Sequence, residues 1–73
     1  MNASLADGII DHLKFAVRRD LVKGGAGTRT TREVAERAGV EMSQARRTLR
    51  KLAADGVVDQ FSGGEWRIAK RGF

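Results

Sequence analysis

The sequence predicts an α+β fold in which three helices precede a two-stranded β-hairpin. One observation is a pair of short amphipathic segments that lie about three residues apart and end at Gly39 and Gly56. Another is a pair of runs rich in β-branched and aromatic residues, which are joined by Ser62, Gly63 and Gly64. A third is the long apolar stripe near the beginning of the chain, which predicts the first helix.

The first helix is predicted from about Leu5 to Val22. Ser4 is a favourable N-cap, and the charge of Asp7 suits the first turn of a helix. Cations in the last turns suit the other end of the helix dipole. At 100° per residue, one broad face collects the apolar side chains that we expect in the core, namely Leu5, Ile9, Ile10, Leu13, Ala16, Val17 and Leu21.

Phe15 and Val22 project together from the opposite side of this helix. Two interpretations are open, because isolated surface hydrophobics are normal in soluble proteins. The pair is either scattered surface or a contact for a weak homodimer or a protein partner. The run from Lys23 to Arg29 contains three glycines and is expected to be a mobile loop, with a short strand near Thr28 to Thr30 that joins the hairpin.

The second helix is predicted from its capping signals. Thr30 and Glu33 have the spacing of a capping box, and Gly39 is expected to close the helix in the left-handed conformation. Val40 then folds back onto the core. The apolar stripe of this helix consists of Val34, Ala35 and Ala38.

The third helix is predicted from Met42 to Ala54, and Gly56 ends it. The short connection forces the second and third helices to cross steeply, as in a helix-turn-helix. Its core side is predicted to hold Met42, Ala45, Leu49, Leu52 and Ala53. Its opposite face holds Ser43, Arg46, Arg47 and Arg50, and the helix contains four cations and no acid.

The hairpin strands are predicted at Val57–Phe61 and Glu65–Ala69. Trp66 and Ile68 share one face of the last strand, so Trp66 is expected to close the core. Three helices followed by a hairpin is the element order of a winged helix, in which the hairpin tip forms the wing. We expect residues 1–73 to form a single domain of this kind.

The segment from Thr30 to Ala69 contains T-x-x-E-V-A-x-x-x-G-V, then A-x-x-x-L-x-x-L-x-x-x-G-V-V, then a final strand with an aromatic residue. This pattern resembles the winged-helix DNA-binding superfamily. Small fimbrial-operon regulators of the PapI and FaeA type are similar in length and in carrying Gln-Ala-Arg, here Gln44, Ala45 and Arg46. The resemblance implies a small transcriptional regulator that binds double-stranded DNA.

Z-DNA-binding domains are similar in the hairpin, where their W-x-I-A motif corresponds to residues 66–69. Those domains have asparagine and tyrosine where this chain has Arg46 and Arg50, and they have a wing proline pair that is absent from residues 62–65. These departures favour ordinary B-form DNA as the ligand.

In a winged helix the second helix of the helix-turn-helix enters the major groove. Arginine can read guanine and glutamine can read adenine there, and other cations hold phosphates. The predicted contacts from the recognition helix are Ser43, Gln44, Arg46, Arg47 and Arg50. Backbone contacts are expected from Thr31, Arg32, Arg67, Lys70 and Arg71. The alternative is a winged-helix module that binds proteins in a transcription or assembly complex.

Composition supports a polyanionic partner, because the formal net charge is +5. The chain has no cysteine, its single histidine, His12, has no nucleophile or ligand set around it, and Gly24, Gly25 and Gly27 lack phosphate-loop spacing. No catalytic, metal or cofactor site is therefore predicted. No signal peptide or bilayer-spanning run is evident, which predicts a cytoplasmic, nucleoid-associated protein with no membrane partner.

Overall fold

The computed structural model describes residues 4–73 and confirms the α+β winged-helix arrangement. In chain order, the elements are α1 (Leu5–Lys23), β1 (Arg29–Thr30), α2 (Thr31–Ala38), α3 (Met42–Ala54), β2 (Val58–Phe61), β3 (Glu65–Ile68) and a closing 3₁₀ turn (Lys70–Gly72). The bounds of α3 are as predicted. Both hairpin strands and β1 are one residue shorter than predicted, and α1 extends one residue further.

The core lies between the three helices and one face of the sheet. In α1, Ile9, Leu13, Ala16 and Val17 are buried, and Ser4 caps this helix by accepting a hydrogen bond of 3.1 Å from the N–H of Asp7. The other elements add the remaining large apolar side chains of the core, which are Val34, Leu49, Leu52, Val58, Trp66 and Ile68.

Three residues of the predicted apolar stripes are exposed, and one of them is Ala38, the last residue of α2. Leu21 is 81% exposed and Met42 is 42% exposed. Each lies at the end of a helix, where the stripe continues past the elements that could cover it. In α1 the last buried side chain is Val17, and the chain after α1 folds back over it at Gly27, so Leu21 lies beyond the covered part of the helix.

The turn between α2 and α3 is made by Gly39. Thr30 and Glu33 form the predicted capping box, and α2 ends at Gly39 with a φ of +71°. Because this φ lies in the left-handed region, glycine is the residue best suited to it. The N–H of Val40 then donates to the carbonyl of Ala35 at 3.1 Å, and Val40 packs against the core. This short turn fixes the position of α3 relative to α2.

The sheet is antiparallel, with β3 between β1 and β2. Val58 pairs with Ile68 and Phe61 pairs with Glu65, while Arg29 of β1 pairs with Trp66. Alternation along β3 buries Trp66 and Ile68 and leaves Arg67 exposed, as predicted. The wing turn, residues 62–64, therefore extends from the open end of the core.

Thr31 joins the wing turn to α2. The Trp66 indole N–H donates to the Thr31 hydroxyl at 2.8 Å, and both groups are buried. The Thr31 hydroxyl in turn donates to the carbonyl of Gly64 at 3.4 Å, and the Thr31 backbone N–H donates to the same carbonyl at 3.1 Å. Trp66 thus closes the core, as expected, and its polar edge is satisfied within the protein.

Side-chain hydrogen bonds hold the glycine-rich connection between α1 and β1 in place, although the sequence predicted a mobile loop from Lys23 to Arg29. Asp20 accepts from the N–H of Gly27 at 2.8 Å and forms an ion pair of 3.1 Å with Arg29. Two hydrogen bonds lower the pKa of Asp20: the one from Arg29 has the larger effect, and the one from the N–H of Gly27 has the next largest. Thr28 donates to Glu65 at 2.6 Å, which links the connection to β3 as well.

We predict that Thr31→Val destabilises the domain by about 1–3 kcal/mol, because the substitution leaves the buried indole N–H of Trp66 without an acceptor. Urea denaturation followed by tryptophan fluorescence measures this loss. Thr48→Val is the matched control, since the Thr48 hydroxyl donates only to the carbonyl of Gln44 in its own helix. Equal midpoints for the two variants would show that the Trp66–Thr31 bond contributes nothing to stability.

Candidate nucleic-acid interface

The solvent face of α3 carries the predicted recognition residues. Ala45, Leu49 and Leu52 are buried against the core, and this fixes the rotation of the helix about its axis. The opposite face is therefore held toward solvent by packing. All five side chains predicted for base or phosphate contacts from this helix are exposed: Ser43, Gln44, Arg46, Arg47 and Arg50.

The arginines of this face have no acidic partner among residues 4–73. The ion pairs in that part of the chain join Arg29 to Asp20 and Arg32 to Glu36. Acids occur only where α3 begins and ends, at Glu41 and Asp55, and Glu41 makes no side-chain capping bond. The middle of α3 is therefore a positively charged surface, which we call the arginine face (Arg46, Arg47 and Arg50).

A cleft of about 190 Å³ connects the arginine face to the wing turn. It lies where α2 and α3 begin, beside Gly63 and Gly64. Arg32 and Arg46 line it from the two helices, and Met42 contributes the exposed apolar surface that was wrongly predicted to be buried. The structure thus brings together one cation from each helix of the helix-turn-helix, next to backbone of the wing.

Arg32 is only weakly held within the protein. Its contact with Glu36 is 3.7 Å long, and both side chains are largely exposed. Exposed pairs of this kind contribute little to stability, since water solvates both charges well. Arg32 can therefore give up its contact with Glu36 and pair with another anion at little cost in free energy.

Thr31, unlike Arg32, is not free to contact a phosphate. Its hydroxyl and its backbone N–H are both engaged with the wing, at Trp66 and Gly64. The residue is buried, because it is the first residue of α2 and lies directly beneath the wing turn. We therefore leave Thr31 out of the interface and assign it to the fold.

The predicted contacts from the wing side are spread over the surface. Arg67 lies on the outer face of β3, and its side chain approaches Gly27 in the connection after α1. The side chain of Arg71 approaches Gly56, where α3 ends, and Lys70 precedes it in the closing turn. The wing turn itself, residues 62–64, contains no cation. Only Arg71 among these cations is placed close to an end of α3 by the structure.

His12, the single histidine, belongs to α1 and lies on the side of that helix that faces α2. Burial is the main cause that lowers its pKa, followed by the positive charges of Arg37 and Arg29. Within residues 4–73, no group of three or more histidine or acidic side chains is arranged to hold a metal ion. None of the helices in this same region is both long enough and apolar enough to cross a membrane.

Comparisons with known proteins bear on the family and the fold of the chain. The family model described as FaeA-like protein matches residues 5–64, which include all three helices and the wing turn. A solved structure, N,N-8-amino-8-demethyl-D-riboflavin dimethyltransferase (RosA) from Streptomyces davawensis, is similar at 27% identity with a TM-score of 0.61. That similarity covers 92% of this chain but only 19% of the dimethyltransferase chain. No curated protein sequence matches the chain.

Proposed function

Since the chain belongs to the FaeA-like protein family, a family of PapI/FaeA-type regulators with a helix-turn-helix, we propose that it is a small transcriptional regulator that binds specific sequences of double-stranded DNA. In this proposal residues 1–73 act as one cytoplasmic, nucleoid-associated domain without enzymatic activity. The ligand is B-form DNA. The observation that carries the proposal is the arginine face, which is held outward by packing and has no ion pair within the described residues.

Helix α3 enters the major groove in the proposed complex. Arg46 and Arg50 are one helical turn apart, so both can reach base edges on the same side of the helix. An arginine can donate two hydrogen bonds to O6 and N7 of guanine, and Gln44 can pair with adenine. Arg47 and Ser43 flank these positions and contact either bases or phosphates.

Phosphate contacts fix the register of α3 in the groove. Arg32 is the best placed for this role, because it shares the cleft beside the wing turn with Arg46 and is weakly held by Glu36. Arg71 and Lys70 extend the positive surface beyond the end of α3, and Arg67 lies farther away, over the connection after α1. These contacts contribute affinity that falls with salt and carry no sequence information.

Selection from a library of random DNA duplexes tests sequence-specific binding. The proposal predicts enrichment of a short motif that contains guanine, and binding of that motif should weaken as salt is raised, with a log–log slope of about −0.9 for each phosphate contacted. Retention of duplexes without any enriched motif would contradict specific recognition.

We also propose that DNA binding is helped by weak self-association through α1. Phe15 is 55% exposed and Val22 is 85% exposed, on the side of α1 that faces away from the core. A single small domain covers a short DNA site, so specificity gains from a second copy. A two-fold dimer would bring each of these side chains against the same patch of the partner copy.

Phe15→Glu is expected to reduce cooperative binding to paired DNA sites while sparing a single half-site, because the substitution charges the proposed contact and leaves α3 untouched. Anisotropy titrations of single and paired sites, together with analytical ultracentrifugation, measure both effects. Asp11→Glu, on an exposed position of the same helix, is the control. Unchanged cooperativity would identify Phe15 as an ordinary exposed hydrophobic.

A protein-interaction module is the second candidate function. It is favoured by the similarity to a segment of a dimethyltransferase chain, since a related fold there occupies one part of a much larger protein. In that role the exposed apolar residues of α1 form the binding surface and the arginine face stays solvated. Lack of binding to any duplex at low salt, combined with partner binding that Phe15→Glu abolishes, would establish this alternative.

A further inference from the structure

A second cleft, of about 330 Å³, lies between α1 and α2 on a part of the surface that the DNA proposal does not use. Its walls are polar and apolar in equal parts, and its polar side chains are Ser4, His12 and Arg37, with no acid. The remaining lining residues are Leu5, Gly8, Ile9, Val34 and Ala38. The volume of the cleft lies within the range of about 300–1,000 Å³ that is usual for ligand sites in proteins, and a few polar groups line it beside apolar ones.

Gly8 keeps this cleft open. It lies in the first turn of α1 with helical backbone, and its N–H makes a main-chain bond of 3.1 Å to Ser4. Glycine is among the least favourable residues in a helix. No described atom within 4 Å would clash with a Cβ at this position, so the packing of residues 4–73 gives no reason for a missing side chain. Because Gly8 lines the cleft and the space around its Cβ position is open, we expect a side chain here to extend into the cleft.

His12 provides a second, independent observation. Its Nδ1 is buried and has no hydrogen-bond partner among the described residues. Such a group is costly to leave unpaired. His12 lines the cleft, so a ligand that enters it comes within reach of the imidazole, and a half-turn of the ring about its Cβ–Cγ bond exchanges the positions of Nδ1 and Cδ2. The lowered pKa of His12 keeps the ring neutral near pH 7, with one N–H to donate.

Arg37 sets the charge of the ligand. It is exposed at the cleft, and it makes no ion pair within the part of the chain that the structure describes. Glu33 is the acid whose charge acts on the pKa of His12. Its carboxylate already accepts a hydrogen bond of 2.8 Å from the backbone N–H of Thr30. The cleft therefore favours an anion over a cation or a neutral group.

We propose that the α1–α2 cleft binds a small monocarboxylate with an apolar body, of about ten non-hydrogen atoms in all, a size that fits the cleft at ~30 Å³ for each water-sized group. The carboxylate pairs with Arg37 and accepts a hydrogen bond from His12. The apolar body lies against Ile9 and Val34, in the space beside Gly8.

Phenylacetate is a suitable probe, and phenylacetamide is its neutral counterpart of the same size. In a ¹⁵N NMR titration, phenylacetate should shift the amides around Gly8, His12 and Arg37 with roughly millimolar affinity, as is usual for a ligand of this size. The ¹⁵N signal of His12 Nδ1 should move in the same titration. Phenylacetamide should bind at least about fivefold more weakly, because it lacks the charge-assisted bond.

Three variants and a truncated probe make the test decisive. Arg37→Gln should weaken phenylacetate binding and Arg18→Gln, on an exposed position of α1 outside the cleft, should leave it unchanged. Gly8→Leu should abolish binding while the melting temperature is kept or raised, because leucine fills the cleft and favours the helix. Acetate should bind more weakly than phenylacetate, since it lacks the apolar body.

Each of the following results would overturn the proposal. They are the absence of cleft shifts with phenylacetate, equal binding of phenylacetate and phenylacetamide, equal binding of acetate and phenylacetate, and full binding to a folded Gly8→Leu protein. Loss of binding in Arg18→Gln would also overturn it, because the charge effect would then be general rather than local to Arg37.

Discussion

Trp66→Ala is expected to destabilise the domain by about 3–5 kcal/mol, the usual cost of removing a large buried aromatic side chain. Trp66 is 1% exposed, packs at the open end of the helical core and donates to Thr31. A domain of 73 residues has a total stability of about 4–11 kcal/mol at ~0.05–0.15 kcal/mol per residue. The loss is therefore expected to leave much of the protein unfolded, and DNA binding should fall for that reason alone.

Circular dichroism during thermal unfolding measures this effect, since the variant lacks the tryptophan fluorescence signal. Trp66→Phe is the matched variant: it keeps an aromatic ring in the core but loses the bond to Thr31. It should be intermediate in stability and, once folded, should bind DNA normally. A Trp66→Ala protein that melts like the wild type but no longer binds DNA would show that Trp66 contacts DNA directly and is not chiefly a core residue.

Replacing Arg46 or Arg50 with alanine is expected to weaken specific DNA binding by about 1–3 kcal/mol each, because each substitution removes a base contact that discriminates between sequences. Both side chains are exposed and make no ion pair within residues 4–73, so the fold should be unaffected. Because Arg46 also lines the cleft with Arg32, its loss should additionally reduce the salt dependence of binding.

Anisotropy titrations at fixed salt measure these losses on the selected duplex and on a scrambled one. Arg18→Ala, which removes an exposed arginine of α1, controls for the general loss of positive charge. The recognition-helix variants should lose discrimination between the two duplexes, and the control should keep it. Normal affinity in both Arg46→Ala and Arg50→Ala would remove α3 from the interface.

Local signals in the sequence were sufficient to predict the helices and the wing. Thr30 and Glu33 form the capping box that their spacing predicts, and Gly39 closes α2 in the left-handed conformation. The exposed arginine face also follows from sequence, because the apolar stripe of α3 determines which side is buried. These features depend on residues within one or two turns of each other.

Features that depend on distant residues could not be predicted in this way. The stripes of α1 and α3 gave no sign that Leu21 and Met42 lie beyond the covered part of the core. The bond between Thr31 and Trp66 joins residues 35 positions apart, so the expected phosphate contact of Thr31 could not be weighed against it. The cleft shared by Arg32, Arg46 and the wing turn likewise exists only once the elements have packed.

The central claim is that α3 binds DNA, and a backbone amide NMR titration with short duplex DNA tests it most directly. We expect the largest shifts at residues 43–50, with further shifts at Arg32 and at Gly63 and Gly64 beside the cleft. Shifts confined to α1 around Phe15 and Val22, with none in α3, would contradict the claim and favour the protein-interaction module.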